Sequence, residues 1–146
     1  MFERYTEEAR LVLFRARFEA QQSGSGRIEP EHLFLALAVE DPVRLRQLLP
    51  AVANVESICR EVRDGLPSRD PHTEQDMPLS HPAKRVLAYG AEEAHKLGHR
   101  HIGNEHHLLG LLREPSSVSR ILETYGVRLE QVRQQILDSA PGTAET

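Results

Sequence analysis

Two glutamates stand in matching settings in this sequence, each directly before a histidine and a run of apolar residues. Glu31 follows Ile28-Glu29-Pro30, and Glu105 follows Ile102-Gly103-Asn104. Each apolar run predicts a buried helix whose first turn holds the glutamate, where unpaired N–H groups and the helix dipole attract anions. A carboxylate at such an end presents both signs of charge, which suits a ligand that joins a guanidinium to a phosphate. The alternative is that both glutamates only complement the dipoles of their helices.

Histidines are the second group that could support chemistry, and the sequence contains 8 of them. His95 and His99 are spaced i and i+4, and two histidines at that spacing on one helix can hold zinc. Three more follow closely: His101, His106 and His107. Gly98 is expected to end the helix between the first two, and no acid is placed as in the H-E-x-x-H zinc motif. We therefore predict no metal site, and a histidine-dependent metalloprotein is the alternative function.

His32 and His106 each follow one of the two glutamates and belong to the same repeated motif. We expect both to be partly buried and to fix the start of a central helix through hydrogen bonds. Cys59 lies between Val55 and Val62 at helical spacing, which predicts a buried thiol. No G-x-S-x-G elbow or nucleophile with an assigned base is present. We expect no catalytic residue, no enzyme activity and no cofactor.

The two motifs belong to a longer internal repeat that must position them. Residues 5–67 align with residues 79–141 without a gap, a shift of 74 positions over 63 residues. Identical residues at matched positions include caps and turns as well as apolar residues: Ala9 and Ala83, Val12 and Val86, Glu19 and Glu93, Gly24 and Gly98, Pro67 and Pro141. Register kept over this length predicts a tandem duplication with two superimposable lobes related by an approximate two-fold axis.

Each repeat reads as four helices: a first helix with one apolar face, a buried central helix, a short helix and an amphipathic last helix. Thr6 and Ser80 are expected to cap the first helix of each repeat, and Asn104 to cap the central helix of the second. The predicted central, short and last helices lie at 30–39, 43–49 and 54–64 in repeat one and at 104–112, 117–125 and 129–136 in repeat two. No strand is predicted.

These elements predict an all-α fold in which two tandem four-helix repeats, related by a pseudo-two-fold axis, form one eight-helix domain over residues 1–146. Repeat one spans 5–67, a connector 68–78 and repeat two 79–141. Residues 142–146 are expected to form a flexible tail.

Composition and charge exclude several classes of protein. The formal net charge is -4, and 18 basic residues are scattered among 22 acids, so the sequence has no basic stripe for nucleic acid. The longest apolar run, from Leu33 to Val39, is far shorter than a membrane span, and charges near the N-terminus interrupt any signal-peptide core. We expect a soluble, cytoplasmic protein that binds neither nucleic acid nor membrane.

Three stretches carry a resemblance to a known family: Met1–Arg10, Leu97–His106 and Tyr125–Leu129. They resemble the Clp N-terminal domain, the duplicated module that precedes the ATPase rings of Clp unfoldases, and most of all its ClpC type. The resemblance implies a non-catalytic module that recognises unfolded or arginine-phosphorylated substrates and adaptor proteins for the unfoldase and protease components of a Clp system. It also implies that Glu31 and Glu105 match the glutamate of the family's G-T-E-H motif, where phosphorylated arginine is recognised.

The two glutamate motifs depart from that family pattern to different degrees. Gly103 and Asn104 keep a flexible glycine and a capping side chain before the second glutamate. Before the first glutamate, Pro30 removes one N–H donor and Glu29 adds a negative charge where a phosphate would approach. We therefore predict that the second motif binds a phosphoarginine-like ligand more strongly than the first.

Phe2, Arg10 and Leu79 form a second candidate surface, near the place where the two halves are expected to meet. In ClpC-type domains this region receives cyclic peptides through a pair of phenylalanines. Phe2 and Arg10 match the family, whereas Leu79 stands where the family often has phenylalanine, so one aromatic anchor is lost. The alternative is an edge of the core that binds no ligand.

No G-x-x-x-x-G-K-[ST] phosphate loop occurs within residues 1–146, so this sequence carries no ATPase module of that type. We expect a free-standing Clp N-domain protein, a modulator or decoy that competes with an unfoldase's own domain for adaptors and clients. The alternative is an N-terminal domain detached from a full-length unfoldase.

Overall fold

The computed structural model describes residues 2–67, 69–71 and 76–139 of the chain. Within them the secondary structure consists of eight α-helices and no strand, so the predicted all-α fold class is confirmed. The helices are α1 Glu7–Gln22, α2 Pro30–Glu40, α3 Pro42–Leu48, α4 Val55–Asp64, α5 His81–Lys96, α6 Asn104–Arg113, α7 Ser117–Thr124 and α8 Leu129–Ser139. The predicted tail at 142–146 and positions 68 and 72–75 of the predicted connector lie outside the described residues. Among the described residues, no helix combines the length and apolarity that crossing a membrane requires.

The same local signals start and end the first helix of each repeat. The hydroxyls of Thr6 and Ser80 each accept a hydrogen bond of 3.1 Å from the backbone N–H three residues later. Gly24 and Gly98 follow the ends of α1 and α5 with φ of 71° and 76°, a left-handed conformation that favours glycine. Because the signals recur at matched positions, α1 and α5 both contain 16 residues.

The central helices α2 and α6 form the middle of the core. All side chains from His32 to Leu37 in α2 and from Asn104 to Leu111 in α6 are buried. α2 packs against α1, α4 and α6, whereas α6 packs against α5, α7 and α8. A Cβ on Gly110 would stand 2.1 Å from the Val86 carbonyl oxygen, so glycine allows α6 to approach α5 this closely. Each glutamate motif is thus fixed at the start of one central helix.

Two short backbone bridges join the halves in a two-fold pattern. Tyr5 pairs with Ile102, and Ile28 pairs with Leu79, both in parallel. Each bridge consists of two backbone hydrogen bonds, of 2.8 and 3.0 Å. In the internal alignment Tyr5 matches Leu79 and Ile28 matches Ile102, so a two-fold rotation exchanges the two bridges. The contact between the halves therefore has the predicted approximate two-fold symmetry, while the bounds of the two repeats stay a prediction.

Candidate ligand-binding groove at the start of α6

The first turn of α6 carries the second glutamate motif. Gly103 is the capping residue of this helix, and Asn104 is its first helical residue. Asn104 Nδ2 donates to Asp41 Oδ2 at 2.9 Å, while its Oδ1 is buried and has no hydrogen-bond partner among the described residues. The prediction that Asn104 caps α6 is therefore wrong, because its amide reaches across to the turn between α2 and α3 instead.

The Glu105 carboxylate faces a guanidinium and an imidazole, and the residue is only 8% exposed. Its Oε2 lies 3.6 Å from Arg44 Nη2 and 3.4 Å from His101 Nε2. Burial opposes ionisation, but the backbone N–H of Glu105 itself, the Arg44 guanidinium and the hydrogen bond with His101 outweigh it and hold the pKa of Glu105 below its ordinary value. Glu105 is therefore ionised at neutral pH.

Gly103 gives this carboxylate its position. A Cβ built on Gly103 would lie 2.4 Å from Glu105 Oε1, so the carboxylate folds back over the glycine toward the N–H groups that open α6. Any larger residue at position 103 would force the carboxylate away from the helix start. Gly103 thus leaves room for the Glu105 carboxylate, in addition to forming the turn before α6.

A groove of about 490 Å³ opens beside Glu105. Side chains from both repeats line it, among them Asp41, Arg44, His101, Asn104, Glu105 and Ser139. Arg44 donates to Ser139 Oγ at 3.1 Å and to Gln47 Oε1 at 3.3 Å, which holds its guanidinium at the groove wall. The sequence motifs do not indicate Arg44, although the internal alignment contains a signal: it matches this arginine with an apolar residue, Val118.

Glu31, at the start of α2, has a different environment. It accepts a hydrogen bond from the Ser117 hydroxyl and forms no ion pair with an arginine among the described residues. The residue aligned with Arg44 is Val118, which is fully buried. Of the two motifs, only the second has both a carboxylate and a guanidinium at the start of its helix.

His32 and His106 fix the starts of the two central helices, as predicted, although both are fully buried where partial burial was expected. The Nδ1 atom of each accepts a 2.9 Å hydrogen bond from the backbone N–H of the capping residue before its helix. The proton is therefore on Nε2, which donates to Ser23 Oγ at 3.0 Å from His32 and to His99 Nδ1 at 2.8 Å from His106. Burial lowers the pKa of both histidines and brings that of His106 to about 3, so both are neutral at pH 7.

The family described as the Clp repeat (R) N-terminal domain matches residues 4–125 and residues 78–144. The chain belongs to this family. It is 40% identical over 139 residues to the negative regulator of genetic competence ClpC/MecB of Bacillus subtilis, a match that covers 94% of this chain and 17% of that protein. It is 35% identical over 147 residues to the chloroplastic chaperone protein ClpC2 of Oryza sativa subsp. japonica, which covers 99% of this chain and 16% of that protein.

Solved structures show the same fold at lower sequence identity. The Hsp104 N-terminal domain from Candida albicans matches with a TM-score of 0.78 at 19% identity, covering 99% of this chain and 100% of that chain. The N-terminal domain of the caseinolytic protease associated chaperone ClpD from Arabidopsis thaliana matches with a TM-score of 0.74 at 24% identity, covering 97% of each chain. The predicted Clp N-domain fold is confirmed, and the chain spans about one sixth of the length of the two curated relatives described above.

The second predicted surface of this Clp N-domain is only partly assembled. Phe2 packs on Tyr5 with ring centroids 4.9 Å apart, and the Arg10 guanidinium donates to the Phe2 carbonyl oxygen at 3.3 Å. Leu79 instead forms the bridge to Ile28 and packs against the main core, whereas Phe2 belongs to a separate small cluster. The structure thus joins Phe2 to Arg10 but not to Leu79, and a peptide-binding role for the three stays a prediction.

The histidines of this Clp N-domain gather in a way that their spacing does not predict. One ring nitrogen from each of His99, His101 and His106 lies within 4.8 Å of the others, and His95 is not part of the group. A zinc ligand must present an unprotonated nitrogen. His106 cannot present Nε2, because its Nδ1 accepts the Gly103 N–H and the proton is on Nε2. The group as arranged supports the start of α6, and we assign no metal to it.

Proposed function

We propose that this Clp N-domain is a non-catalytic module that binds client segments and adaptor proteins for a Clp unfoldase and protease system. Within it, the groove beside Glu105 binds a guanidinium joined to a phosphate, as in phosphoarginine. One observation carries this proposal: Glu105 and Arg44 place opposite charges 3.6 Å apart at the anion-attracting start of α6. Family membership supports the general binding role, and this charged pair supports the choice of ligand.

Each charged part of such a ligand has a counterpart in the groove. The ligand's guanidinium donates to the Glu105 carboxylate, which can accept the two parallel bonds that guanidinium groups favour. Arg44 then turns from the carboxylate to the phosphate, and the N–H groups that open α6 add further donors. Since the free groove already holds one carboxylate–guanidinium pair, binding replaces one ion pair by two and leaves no buried charge alone.

The first motif is proposed to bind the same ligand more weakly. Pro30 has no N–H to donate at the start of α2. Ser117 already donates to the Glu31 carboxylate, and Val118 stands where the other groove receives Arg44. The loss of one donor and one cation should weaken binding at Glu31 by at least about tenfold relative to Glu105.

Isothermal titration calorimetry of the full chain with free phosphoarginine tests this proposal. We expect one dominant class of sites, which Glu105→Gln removes and Glu31→Gln leaves nearly unchanged. Free arginine and inorganic phosphate, titrated separately, control for binding of either charge alone. Absence of binding heat with the wild-type chain would remove phosphoarginine from the function, and a greater loss in Glu31→Gln than in Glu105→Gln would reverse the ranking.

The proposed binding role of this groove suits two kinds of chain, an N-terminal domain of a longer unfoldase and a domain that acts separately. In a longer chain it delivers bound clients to an ATPase ring, whereas a separate domain competes for clients and adaptors as a modulator or decoy. The mass of the native polypeptide in its source cells distinguishes the two roles. A decoy in excess should slow degradation of an adaptor-delivered client by a reconstituted Clp protease, and an unchanged rate would argue against it.

A further inference from the structure

The two repeats differ on the outer face formed by α1, α2 and α4 in repeat one and by α5, α6 and α8 in repeat two. At the centre of each face lies a buried glutamate, Glu19 at 5% exposure and Glu93 at 0%. A buried carboxylate needs cationic partners, so each repeat must supply arginines. The two repeats supply them from different positions. A feature that occurs in only one repeat is not required by the fold that both repeats share.

In repeat two, two arginines place charge over the seam between α6 and α8. Arg113 of α6 pairs with Glu93 at 3.1 Å and with Glu92 at 3.0 Å, and its guanidinium lies 4.3 Å from the centroid of the Tyr89 ring. Arg133 of α8 pairs with Glu93 at 2.8 Å. These contacts tie α5, α6 and α8 together.

Repeat one neutralises its buried glutamate in another way. Glu19 pairs with Arg15 of α1 and with Arg63 of α4, each at 3.2 Å. The positions that carry the two bridging arginines of repeat two hold Val39 and Cys59 instead. The two arginines that cover the corresponding seam of repeat two therefore have no counterpart between α2 and α4.

A groove of about 430 Å³ occupies this seam, which we call the α2–α4 groove. Its apolar lining consists of Leu35, Ala38, Val39, Val55 and Cys59. Val39 is 44% exposed. The Cys59 side chain is half-buried, which departs from the predicted buried thiol, and this burial raises its pKa so that it is uncharged at neutral pH. The cavity of about 450 Å³ in repeat two has a different position. It lies by the loop before α8, and neither Arg113 nor Arg133 lines it.

An ion pair of repeat two is also replaced by two apolar side chains in repeat one, of which Val39 lines this groove. The internal alignment matches Arg113 with Val39 and Glu92 with Phe18. Phe18 is 43% exposed, and the Arg15 guanidinium lies 4.7 Å from the centroid of its ring. Since repeat two builds the same fold with a charged pair here, the exposed valine and phenylalanine are not needed for folding, and such apolar surface is typical of an interaction site.

The rim of the α2–α4 groove is positive, although the formal net charge of the chain is -4. Three arginines and one acid stand there: Arg46, Arg60, Arg63 and Glu56. Arg60 forms no ion pair with any described residue. The Arg46 and Arg63 side chains remain 54% and 53% exposed although each pairs with a carboxylate. Two copies that met through this face would bring arginines against arginines, which disfavours a second copy as the occupant.

We propose that the α2–α4 groove docks a segment of a partner protein that carries apolar side chains flanked by carboxylates. The apolar side chains fill the seam beside Val39, and the carboxylates pair with Arg60 and the outer faces of the neighbouring arginines. This surface shares no lining residue with the groove at Glu105.

Two fluorescein-labelled helical peptides of equal length provide the probes. One consists of leucine, alanine and glutamate, and the other has lysine in place of every glutamate. Fluorescence anisotropy with the full chain should show that the acidic peptide binds at least about tenfold more tightly than the lysine peptide. Equal binding of the two peptides, or no binding of the acidic one, would overturn the proposal.

The double variant Phe18→Glu/Val39→Arg rebuilds the ion pair of repeat two at two exposed positions. It should raise the Kd of the acidic peptide by about tenfold or more, because it places charge over the apolar seam. Val52→Arg, an equivalent change at a valine that is 84% exposed and lies outside the groove, should leave the Kd unchanged. So should Glu105→Gln. An unaltered Kd in the double variant would overturn the proposal.

Arg60→Glu tests the rim without altering the apolar lining of the groove, and it decides the outcome if the double variant does not fold. It should weaken binding of the acidic peptide and strengthen binding of the lysine peptide. Sedimentation equilibrium tests for a second copy, and a dimer abolished by Val39→Arg would overturn the choice of partner. Binding to phosphatidylglycerol vesicles that is lost in Val39→Arg, without any binding of the acidic peptide, would assign the groove to a lipid surface instead.

Discussion

Arg44 of α3 lies 3.6 Å from Glu105 of α6, measured from Nη2 to Oε2. The two residues belong to different repeats, so repeat one completes the groove of repeat two. The equivalent contact between position 118 and Glu31 does not form, because Val118 occupies the position aligned with Arg44 and is fully buried. Two similar lobes thus produce two unequal sites.

Arg44→Gln should weaken phosphoarginine binding by about tenfold or more, because it removes the cation that meets the phosphate in the proposed complex. Titration calorimetry provides the measurement. Arg46→Gln is the matched control, since Arg46 lies on the same helix and pairs with the exposed Glu56 at 2.8 Å. Equal affinities of Arg44→Gln and the wild-type chain would contradict this role for Arg44.

Transplanting the second motif into repeat one should not create a second strong site. Glu29→Gly combined with Pro30→Asn restores the missing N–H donor, but Val118 still supplies no cation. Calorimetry should therefore show the same stoichiometry of strong sites as in the wild-type chain. A doubled stoichiometry would mean that the motif alone is sufficient and that Arg44 is dispensable.

Gly103→Ala should weaken phosphoarginine binding by about fivefold, or about 1 kcal/mol, because the added Cβ displaces the Glu105 carboxylate. The backbone at position 103 has φ of -114°, which alanine adopts readily, so the melting temperature should change little. Gly26→Ala is the control, since a Cβ there meets no atom within 4 Å. Full affinity in Gly103→Ala would show that the carboxylate does not need its present position.

Glu93→Gln should lower the free energy of unfolding by about 2–4 kcal/mol, because two arginines lose their buried partner. Glu19→Gln should cost less, about 1–2 kcal/mol, since Arg15 and Arg63 are 33% and 53% exposed and can be solvated by water. Urea denaturation at neutral pH measures both. The reverse order would contradict the stronger ion pairing of repeat two.

The Glu93 network also predicts a direction of acid sensitivity. The hydrogen bond from Arg133 lowers the pKa of Glu93 below its ordinary value of 4.5. Its stabilisation is therefore present above that ordinary value and is lost as the pH falls through the lower pKa of the folded state. The stability difference between Glu93→Gln and the wild-type chain should accordingly shrink in acid.

Stability should also fall as the pH drops below about 6.5, because buried His106 cannot take up a proton there while the unfolded chain can. Burial keeps the folded pKa of His106 at about 3, against 6.5 in its ordinary state. The loss reaches up to about 1.4 kcal/mol per pH unit for this group. Urea midpoints at several pH values measure it. His106→Asn should make the dependence less steep, while buried His32 and His107, whose pKa values burial also lowers, keep part of it. His81→Asn, at an exposed position, is the control.

Features that depend on neighbours along the chain could be predicted from the sequence. Thr6 and Ser80 cap the helices that they precede, and His106 bonds to the residue that opens its own helix. Asn104 shows where local propensity fails. Its preference for capping predicts a hydrogen bond from a nearby N–H. Its side-chain amide instead donates to Asp41, 63 positions away in sequence.

The sequence by itself determined the duplication, the eight helices and the place of Glu31 and Glu105 at the starts of buried helices, because periodicity and caps act within a few residues. Only the tertiary structure decided that Glu105 meets Arg44, that His99 and His101 join His106, and that the seam beside Val39 stays uncovered. Coulomb attraction and packing depend on distance in space, and the two-fold contact between the lobes sets those distances for residues that are far apart along the chain.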